Sequence, residues 1–469
     1  MNECSWEFLK TGKKAQELFA PFGNDRLPFL LESSLDVGGM GRYSFFGSDP
    51  FLVLEAKNGR CFIQEQGRRK VVPGQPLSVL RDLLKKYALT MRRPIRHPLL
   101  CGAVGFFSYD FGFSLEEIRR VHAPDSGVPD FLFGFYDCLA CLDHAKKELL
   151  VFSSGFPEQG SRRARRAQAR LAQFLQKLKI SPVLTQNGKE RAAQQGSLRS
   201  NFTRRAYLDA VGMAKEHIAR GDIYQVNLSQ MFQARLDIDD WLLYQKLVKN
   251  FPVSFSAFFK TPALCIISAS PERFLNFDGR MVSTRPMKGT RRRTPNSVLN
   301  RRLRQELVKS NKEKAELLMI VDLERNDLGR VCDYGTINVR NLRTIEAYAN
   351  VFQATAEVRG LLHPSKDRID LLRACFPGGS ITGCPKIRAM EIIEDLEPNA
   401  RGIYTGALGF LSFHNTMELS ILIRSFLKKD KDIFFHVGGG IVTDSEPAAE
   451  YEETLIKGKA LMDALSNKC

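Results

Sequence analysis

The sequence contains no apolar run near the roughly 18–20 residues that a membrane helix requires. Its first residues, Met1-Asn2-Glu3-Cys4-Ser5-Trp6-Glu7, carry two acids where a secretory leader would be basic and then apolar. A cytoplasmic chain with no membrane partner is therefore expected. Ten cysteines in 469 residues show no spacing of a disulfide framework. Cys138-x-x-Cys141 comes nearest to a metal motif, but no second CxxC, His cluster or HExxH completes a zinc site. A GxxxxGK[ST] loop and a dinucleotide-binding glycine fingerprint are also missing. Acids are in deficit: 52 Asp and Glu face 69 Lys and Arg, a net charge of +17. That balance suits nucleic acid or an acidic small molecule. The arginines bunch at Arg162, Arg163, Arg165, Arg166 and Arg170, and again at Arg291–Arg293 with Arg301, Arg302 and Arg304. Neither cluster has interleaved aromatics, so no nucleic-acid partner is expected, and the first cluster reads as a solvated helix face.

What is present is a globular mixture, 43% hydrophobic and 26% charged. Residues 1–155 form a strand-rich part, with short apolar stretches at Pro28–Leu31, Phe51–Leu54, Val104–Phe107, Phe131–Phe135 and Leu149–Phe152 between turn residues. Residues 156–200 read as a helix followed by a polar linker through Thr185–Ser200, and 201–469 as the catalytic domain. Thr203 can cap a helix bearing Tyr207, Val211, Ala214 and Ile218 at helical spacing. Ile223–Phe232 alternates, placing Gln225, Asn227 and Ser229 on one face, which is either solvated or the lining of a polar pocket. Strands are expected at Leu264–Ser268, Thr344–Arg359, Gly406–Phe413 and Ile433–Val437. Helices are expected at Asn311–Leu328, Pro385–Asp395 and Pro447–Leu465. The order is mixed without strict alternation, which favours an α+β fold.

Two helices carry paired acids. Glu313 and Glu316 stand at i, i+3, and Glu450, Glu453 and Lys457 at i, i+3 and i+7, each set on one face. Mg²⁺ takes one or two protein carboxylates and completes its octahedron with water and an anionic substrate, so one acid from each helix would serve it. Two solvated faces would give the same pattern. Glycine-rich turns at Pro377–Lys386 and Gly438–Gly440 precede helix starts and offer backbone N–H groups to an anion. In Arg285-Pro286-Met287-Lys288-Gly289-Thr290-Arg291-Arg292-Arg293, Lys288 lies among arginines, whose charge would disfavour the ammonium form and ready a nucleophile. A surface lysine in a basic loop is the alternative.

Together these segments resemble the chorismate-utilising enzymes. The likeness runs from about Thr203 to Leu465, through Gly221–Asn227, Ser268–Arg273, Arg285–Thr290, Ala315–Gly329, Phe376–Ala389 and Gly438–Thr454, and more weakly through Leu30-Leu31-Glu32-Ser33 and Gly102–Asp110. The resemblance implies a fold of two large antiparallel β-sheets packed as a sandwich and flanked by helices, with the active site between them. It implies Glu316 and Glu453 as direct Mg²⁺ ligands, Glu313 and Glu450 around them, and Lys457 beside the ring carboxylate of chorismate. Arg424, Tyr404 and amides near Gly439 and Gly440 would hold the enolpyruvyl carboxylate, while Thr382 and Gly383 would enclose the ring. Gln225 stands where isochorismate- and salicylate-forming members carry a water-activating lysine, and a neutral amide cannot deprotonate water. Lys288, within Pro286-Met287-Lys288-Gly289-Thr290, matches the aminodeoxychorismate synthases, whereas anthranilate synthases usually carry alanine there. The implied chemistry is amination of chorismate at C4, with Glu272 as general acid and Lys288 as covalent nucleophile, the alternative being an anthranilate synthase component I of tryptophan biosynthesis. Ammonia would come from a separate glutamine amidotransferase subunit, for which this chain shows no convincing segment. Gln353 replaces a histidine common in the Tyr348–Glu357 segment. Leu30–Ser33 resembles the tryptophan-sensing motif of anthranilate synthases, implying an amino-acid pocket in the N-terminal part.

Overall fold

Runs of five or six aromatic and aliphatic residues between Gly, Asn, Asp and Pro turns favour strands that pack on both faces. Phe131–Tyr136 is such a run, buried at all six positions. In the computed structural model, which describes residues 3–36, 39–90, 95–116, 118–123, 127–180, 198–348 and 351–466, these runs build two twelve-stranded sheets. Pairing is antiparallel throughout. The first sheet runs from Ser5–Lys10 through Glu148–Ser153, Cys138–Asp143, Tyr43–Gly47, Phe29–Glu32, Phe255–Lys260, Cys265–Ser270, Ser425–Lys429, Asp432–Ile441 and Gln225–Arg235 to Arg199–Ser200, with Gly383–Cys384 also on Gln225–Arg235. The second runs from Met287–Arg292 through Val351–Leu361, Met281–Arg285, Arg273–Phe277, Met417–Ile421, Ala407–Ser412, Gly102–Phe107, Phe131–Tyr136, Leu52–Lys57 and Arg60–Glu65 to Arg68–Val72. Asn338–Ala347 pairs with Val351–Leu361. Both sheets use strands from before residue 155 and after residue 200, so the sandwich runs across the expected linker. Residues 181–197 of that linker lie outside the described residues.

Alternation decides where each side chain goes. Phe29 and Phe259 enter the main core between the sheets, whereas their neighbours Leu30 and Phe258 enter a second core beneath the helices. The inter-sheet contacts include Phe106 against Phe259 at 6.0 Å and Phe45 against Phe410 at 5.3 Å. Such aromatic pairs add about 0.5–1.5 kcal/mol each beyond their buried area. Ala15–Phe19, Asp240–Asn250 and Pro447–Leu465 cover the outer face of the first sheet. Arg204–Ala219 and Lys386–Leu396 pack on Val226 and Leu228. Thr203 caps the former as expected, its Oγ1 accepting from Ala206 N at 3.2 Å. Cys138 and Cys141 are free and buried. Their separation of three along a strand sends them into different cores, so they form no metal pair. Among the described residues, no helix is long and apolar enough to cross a membrane.

Three expectations are corrected. Thr344–Arg359 is not one strand but most of a hairpin, with Ala347 opposite Phe352 and residues 349 and 350 outside the described residues. No Gly or Pro marks the reversal, and the strand-forming pattern continues through both arms. The helix Ser297–Lys309 was not expected; Asn296 Oδ1 caps it by accepting from Val298 N and Leu299 N at 2.9 and 3.0 Å. The arginines of helix Gly160–Leu178 are not simply a solvated face. Arg166 and Arg170 meet the buried Asp137 at 3.1 and 3.5 Å, and Arg163 Nε donates to Ser154 O at 2.8 Å, while Arg162 and Arg165 face outward. Removing Asp137 would leave two half-buried guanidinium groups without their anion.

Candidate active site

Strands Gln225–Arg235 and Asp432–Ile441 run antiparallel, with Asn227 opposite Gly440 and Ser229 opposite Gly438. Opposed residues share a face, so the Gln225–Asn227–Ser229 row looks across at bare glycines. This face is buried, so of the two expected readings the solvated one is excluded. A Cβ on Gly440 would come within 2.5 Å of Lys288 Nζ and 3.1 Å of Gln225 Nε2. Glycine there lets the amine and the amide reach the strand. Both amide atoms of Gln225, and Nδ2 of Asn227, are buried without a hydrogen-bond partner. Native proteins leave few such groups, and three side by side point to a missing ligand.

Lys288 projects from strand Met287–Arg292, its Nζ 3.3 Å from Glu316 Oε2. The expected arginine surround is absent, and this is a correction. Arg291 pairs with Glu313 at 2.6 Å, Arg285 with Glu346, and Arg293 donates to Tyr348 O at 2.8 Å. These three arginines are neutralised or satisfied elsewhere and Arg292 is exposed; the charges facing Lys288 are the carboxylates of Glu316, Glu272 and Glu453.

Glu272 lies between strands Cys265–Ser270 and Arg273–Phe277, only 4% exposed. Ser380 Oγ donates to its Oε1 at 2.6 Å. Burial pushes the carboxyl up to about 7, despite that hydrogen bond and the charges of Lys288 and Arg424. A carboxyl that keeps its proton to neutral pH has the property a general acid needs. Arg424 sits at φ 52°, a left-handed conformation that costs a non-glycine residue about 1–3 kcal/mol and is tolerated mostly at functional sites. Its guanidinium lies 4.1 Å over the Phe251 ring with one buried nitrogen unpartnered. Burial lowers it to about 10, opposed by Tyr348 and Glu272.

The acidic helices Asn311–Gly329 and Pro447–Leu465 meet here. Lys312 of the first acts on Glu450 and Glu453 of the second. A Cβ on Gly439 would lie 3.2 Å from Glu450 Oε2, 3.7 Å from Glu453 Oε1 and 3.7 Å from Lys457 Nζ. Each acid has one internal partner: Glu316 has Lys288, Glu313 has Arg291, Glu453 has Lys457 at 2.7 Å, and Glu450 accepts from Ser445 Oγ at 2.6 Å. Lys457 holds Glu453 below the usual carboxylate range, while burial raises Glu450. Among the described residues no set of three or more metal-ligating side chains is already gathered. Glu313 Oε2 is nonetheless buried and unpartnered. All four donors are hard oxygens, and Mg²⁺ asks for only one or two of them, so the residues fit this ion.

Gly383 sits at φ 149°, where a Cβ would strike Gln225 O at 2.2 Å, so glycine is required. Thr382 O accepts from Asn227 N at 2.8 Å, fixing this turn beside the pocket. Tyr404 is buried and stacks on His436 at 4.9 Å. Gln353 is buried with its Oε1 unpartnered. The sequence reasoning missed Ser380, although it lies inside the noted glycine-rich turn. It also missed Arg401, which donates to Glu397 Oε1 and Oε2, Asn227 O, Ile381 O and Thr405 Oγ1 at 2.6–3.2 Å. Arg401 thus ties the pocket strand to the glycine-rich turn; an i, i+4 Glu–Arg pair was the only signal.

A separate cavity of about 230 Å³ lies between the sheets at Leu31–Ser33, bounded also by Met40, Phe410 and the Arg273–Glu418 ion pair.

The sequence profile of the chorismate binding enzymes matches residues 36–463. The chain belongs to this family. As a chorismate-binding enzyme it is similar to aminodeoxychorismate synthase component 1 of Bacillus subtilis, 35% identical over 442 residues covering 93% of this chain and 91% of that one. It is equally similar to anthranilate synthase component 1 of Thermus thermophilus, 36% identical over 438 residues covering 93% and 92%. The crystal structure of anthranilate synthase component I from Streptococcus pneumoniae superposes with a TM-score of 0.78 at 29% identity, covering 92% of this chain and 93% of that one. The family's fold, two antiparallel sheets with flanking helices, is the one described above.

Proposed function

We propose that this chorismate-binding enzyme aminates chorismate at C4, yielding 4-amino-4-deoxychorismate for 4-aminobenzoate and folate synthesis in the cytoplasm. The observation that carries this reading is Lys288 Nζ, which lies against Gly440 and Gln225 and faces Glu272 and Glu316. Glu272 gives its proton to the departing C4 hydroxyl, which leaves as water. The Lys288 amine attacks C2 and forms a covalent bond, the ring double bonds shifting as the C4–O bond breaks. Ammonia then adds at C4, the ring double bond shifts back, and the C2–N bond to lysine breaks. Gln225 is a poor base, which disfavours adding water in place of ammonia. Tyr404, Arg424 and the Gly439–Gly440 amides hold the enolpyruvyl carboxylate, and Thr382 with Gly383 encloses the ring. Glu316 and Glu453, backed by Glu313 and Glu450, would hold Mg²⁺ beside Lys457; bound there, the ion neutralises the ring carboxylate.

The similar proteins are named as component 1 of their enzymes. A second component, a glutamine amidotransferase delivering ammonia, is the proposed partner. The Leu31–Ser33 cavity is proposed as an amino-acid pocket, with tryptophan as the ligand to try. Incubating the purified chain with chorismate, Mg²⁺ and excess ammonium, then resolving products by chromatography and mass, tests the central reading. The C4 amine, converted to 4-aminobenzoate on adding a lyase, supports it. Anthranilate as the product, still formed by Lys288→Ala, sinks it in favour of an anthranilate synthase.

A further inference from the structure

Helix Asn311–Gly329 buries one more carboxyl, Glu324, well beyond Glu313 and Glu316. Its Oε2 has no hydrogen-bond partner among the described residues. An apolar side chain would fill the same space without the cost of an unpaired polar atom, so the acid calls for a reason. One turn on, Asp327 is taken by Lys386 Nζ at 2.6 Å, with Arg330 and Glu116 as the other charges facing it. That ion pair is closed without Glu324.

The fold brings Glu324 up behind Glu272. Glu324 takes a hydrogen bond from Thr284. Thr284 and Glu272 each adjoin one member of the cross-strand pair Arg273–Arg285, so Glu324 meets the second sheet next to Glu272. The turn that carries Ser380 rests on the same helix, since a Cβ on Gly379 would come within 2.6 Å of Leu323. Of the charged groups around Glu324, namely Glu272, Asp327 and Lys386, Glu272 acts on it most strongly. Burial and that neighbour hold the Glu324 carboxyl well above the usual range, whereas Glu272 has Ser380, Lys288 and Arg424 to steady its charge. Glu272 therefore gives up its proton first, and Glu324 keeps the one left on the pair. A carboxyl in that state has one O–H to donate.

We propose that Glu324 is a positioning residue for the general acid, staying neutral and turning its O–H towards the Glu272 carboxylate as the proton leaves for the departing hydroxyl. No proton leaves Glu324. The Glu272 O–H bond breaks, a new one forms on the departing water, and the Glu324 hydrogen gains an acceptor. The inference rests on the reading that Glu272 protonates the leaving hydroxyl, whichever ring carbon then takes the nitrogen.

Its test follows chorismate consumption by the purified chain with Mg²⁺ and saturating ammonia from about pH 6 to 9. Glu324→Met, of similar length but with no O–H, is expected to lower kcat about tenfold or more. It should also move the alkaline limb of the kcat profile from about 7 to about 8 or higher, because Glu272 without its donor holds its proton more tightly. Glu324→Gln keeps a neutral donor and is expected to stay within about threefold of wild type, with the limb unmoved. A Met variant that keeps both kcat and limb overturns the proposal. So does one that loses kcat with the limb in place, which is what a merely structural residue would give, and so does a Gln variant that falls as far as Met. Should Glu324→Met fail to fold, Glu324→Leu takes its place, and the Gln variant is read in either case. Glu272→Gln is the control. If it turns over like the wild type, the general-acid reading itself has failed; if it loses turnover while Glu324→Met does not, only the role of Glu324 falls.

Discussion

Around Leu31–Ser33 the polar groups are paired with one another, whereas around Gln225 they are not. Glu32 accepts from Tyr244 Oη at 2.6 Å and Gln16 Nε2 at 2.9 Å, Ser33 Oγ donates to Ser254 O at 2.9 Å, and Arg273 meets Glu418 at 2.7 Å. At the other site the Gln225 amide, Asn227 Nδ2, Glu313 Oε2 and an Arg424 nitrogen are all buried without partners. Leaving a buried polar group unpaired costs roughly 1–3 kcal/mol. The first region therefore supports the fold, and the second is held in place by the rest of the fold. A polar cluster that the protein does not satisfy by itself is the better marker of where substrate goes.

The contrast can be broken in four ways. The largest effect belongs to the unpaired site: Glu272→Gln should lower turnover of chorismate by about 10²–10⁴-fold, and Lys288→Ala should abolish the C4-aminated product, neither with a loss of folding. A loss of folding in either variant would move these residues to the supporting class. Next is Arg401→Ala, which strands the buried Glu397 carboxylate and should cost about 3–5 kcal/mol in urea unfolding. Smaller still is a crossed pair. Tyr244→Phe should lose about 1–3 kcal/mol of stability because Glu32 loses a partner, with turnover intact; Gln225→Leu should keep or gain stability and lose turnover. Equal behaviour of the two variants would erase the comparison. The gentlest probe is pH. Folded Glu272 keeps its proton to about 7, against an ordinary 4.5. Between those values the folded state binds more protons than the unfolded one, so stability falls as pH rises through that window. Glu272→Gln should flatten the slope, and in the wild type the general-acid activity should decline above about pH 7.

Local patterns were legible because their chemistry is local. The i, i+3 acids, the glycine turns and the alternating Gln225–Ser229 row each specify a face or a conformation within a few residues. Partners far along the chain were not legible. Nothing near Glu272 indicates that Ser380 will bond to it, and nothing near Lys288 shows that its neighbouring arginines will be taken by Glu313, Glu346 and the Tyr348 carbonyl. Asp137 reorganises the meaning of the Arg163–Arg170 stretch in the same way. The sandwich came from family resemblance; the interleaving of early and late strands, a property of distant pairings, was not apparent from local pattern.

That interleaving has a consequence during synthesis. Ser412 hydrogen-bonds to Cys101 across 311 positions, and strand Ala407–Ser412 is the partner of Gly102–Phe107. At about 5–20 residues per second, the ribosome leaves the edge of Gly102–Phe107 unpaired on that side for roughly 15–60 s. This strand is buried at every position once folded. The nascent chain must therefore carry an apolar, template-ready strand for most of its translation, and a pause or truncation before residue 407 would turn the enzyme's own core into an aggregation seed.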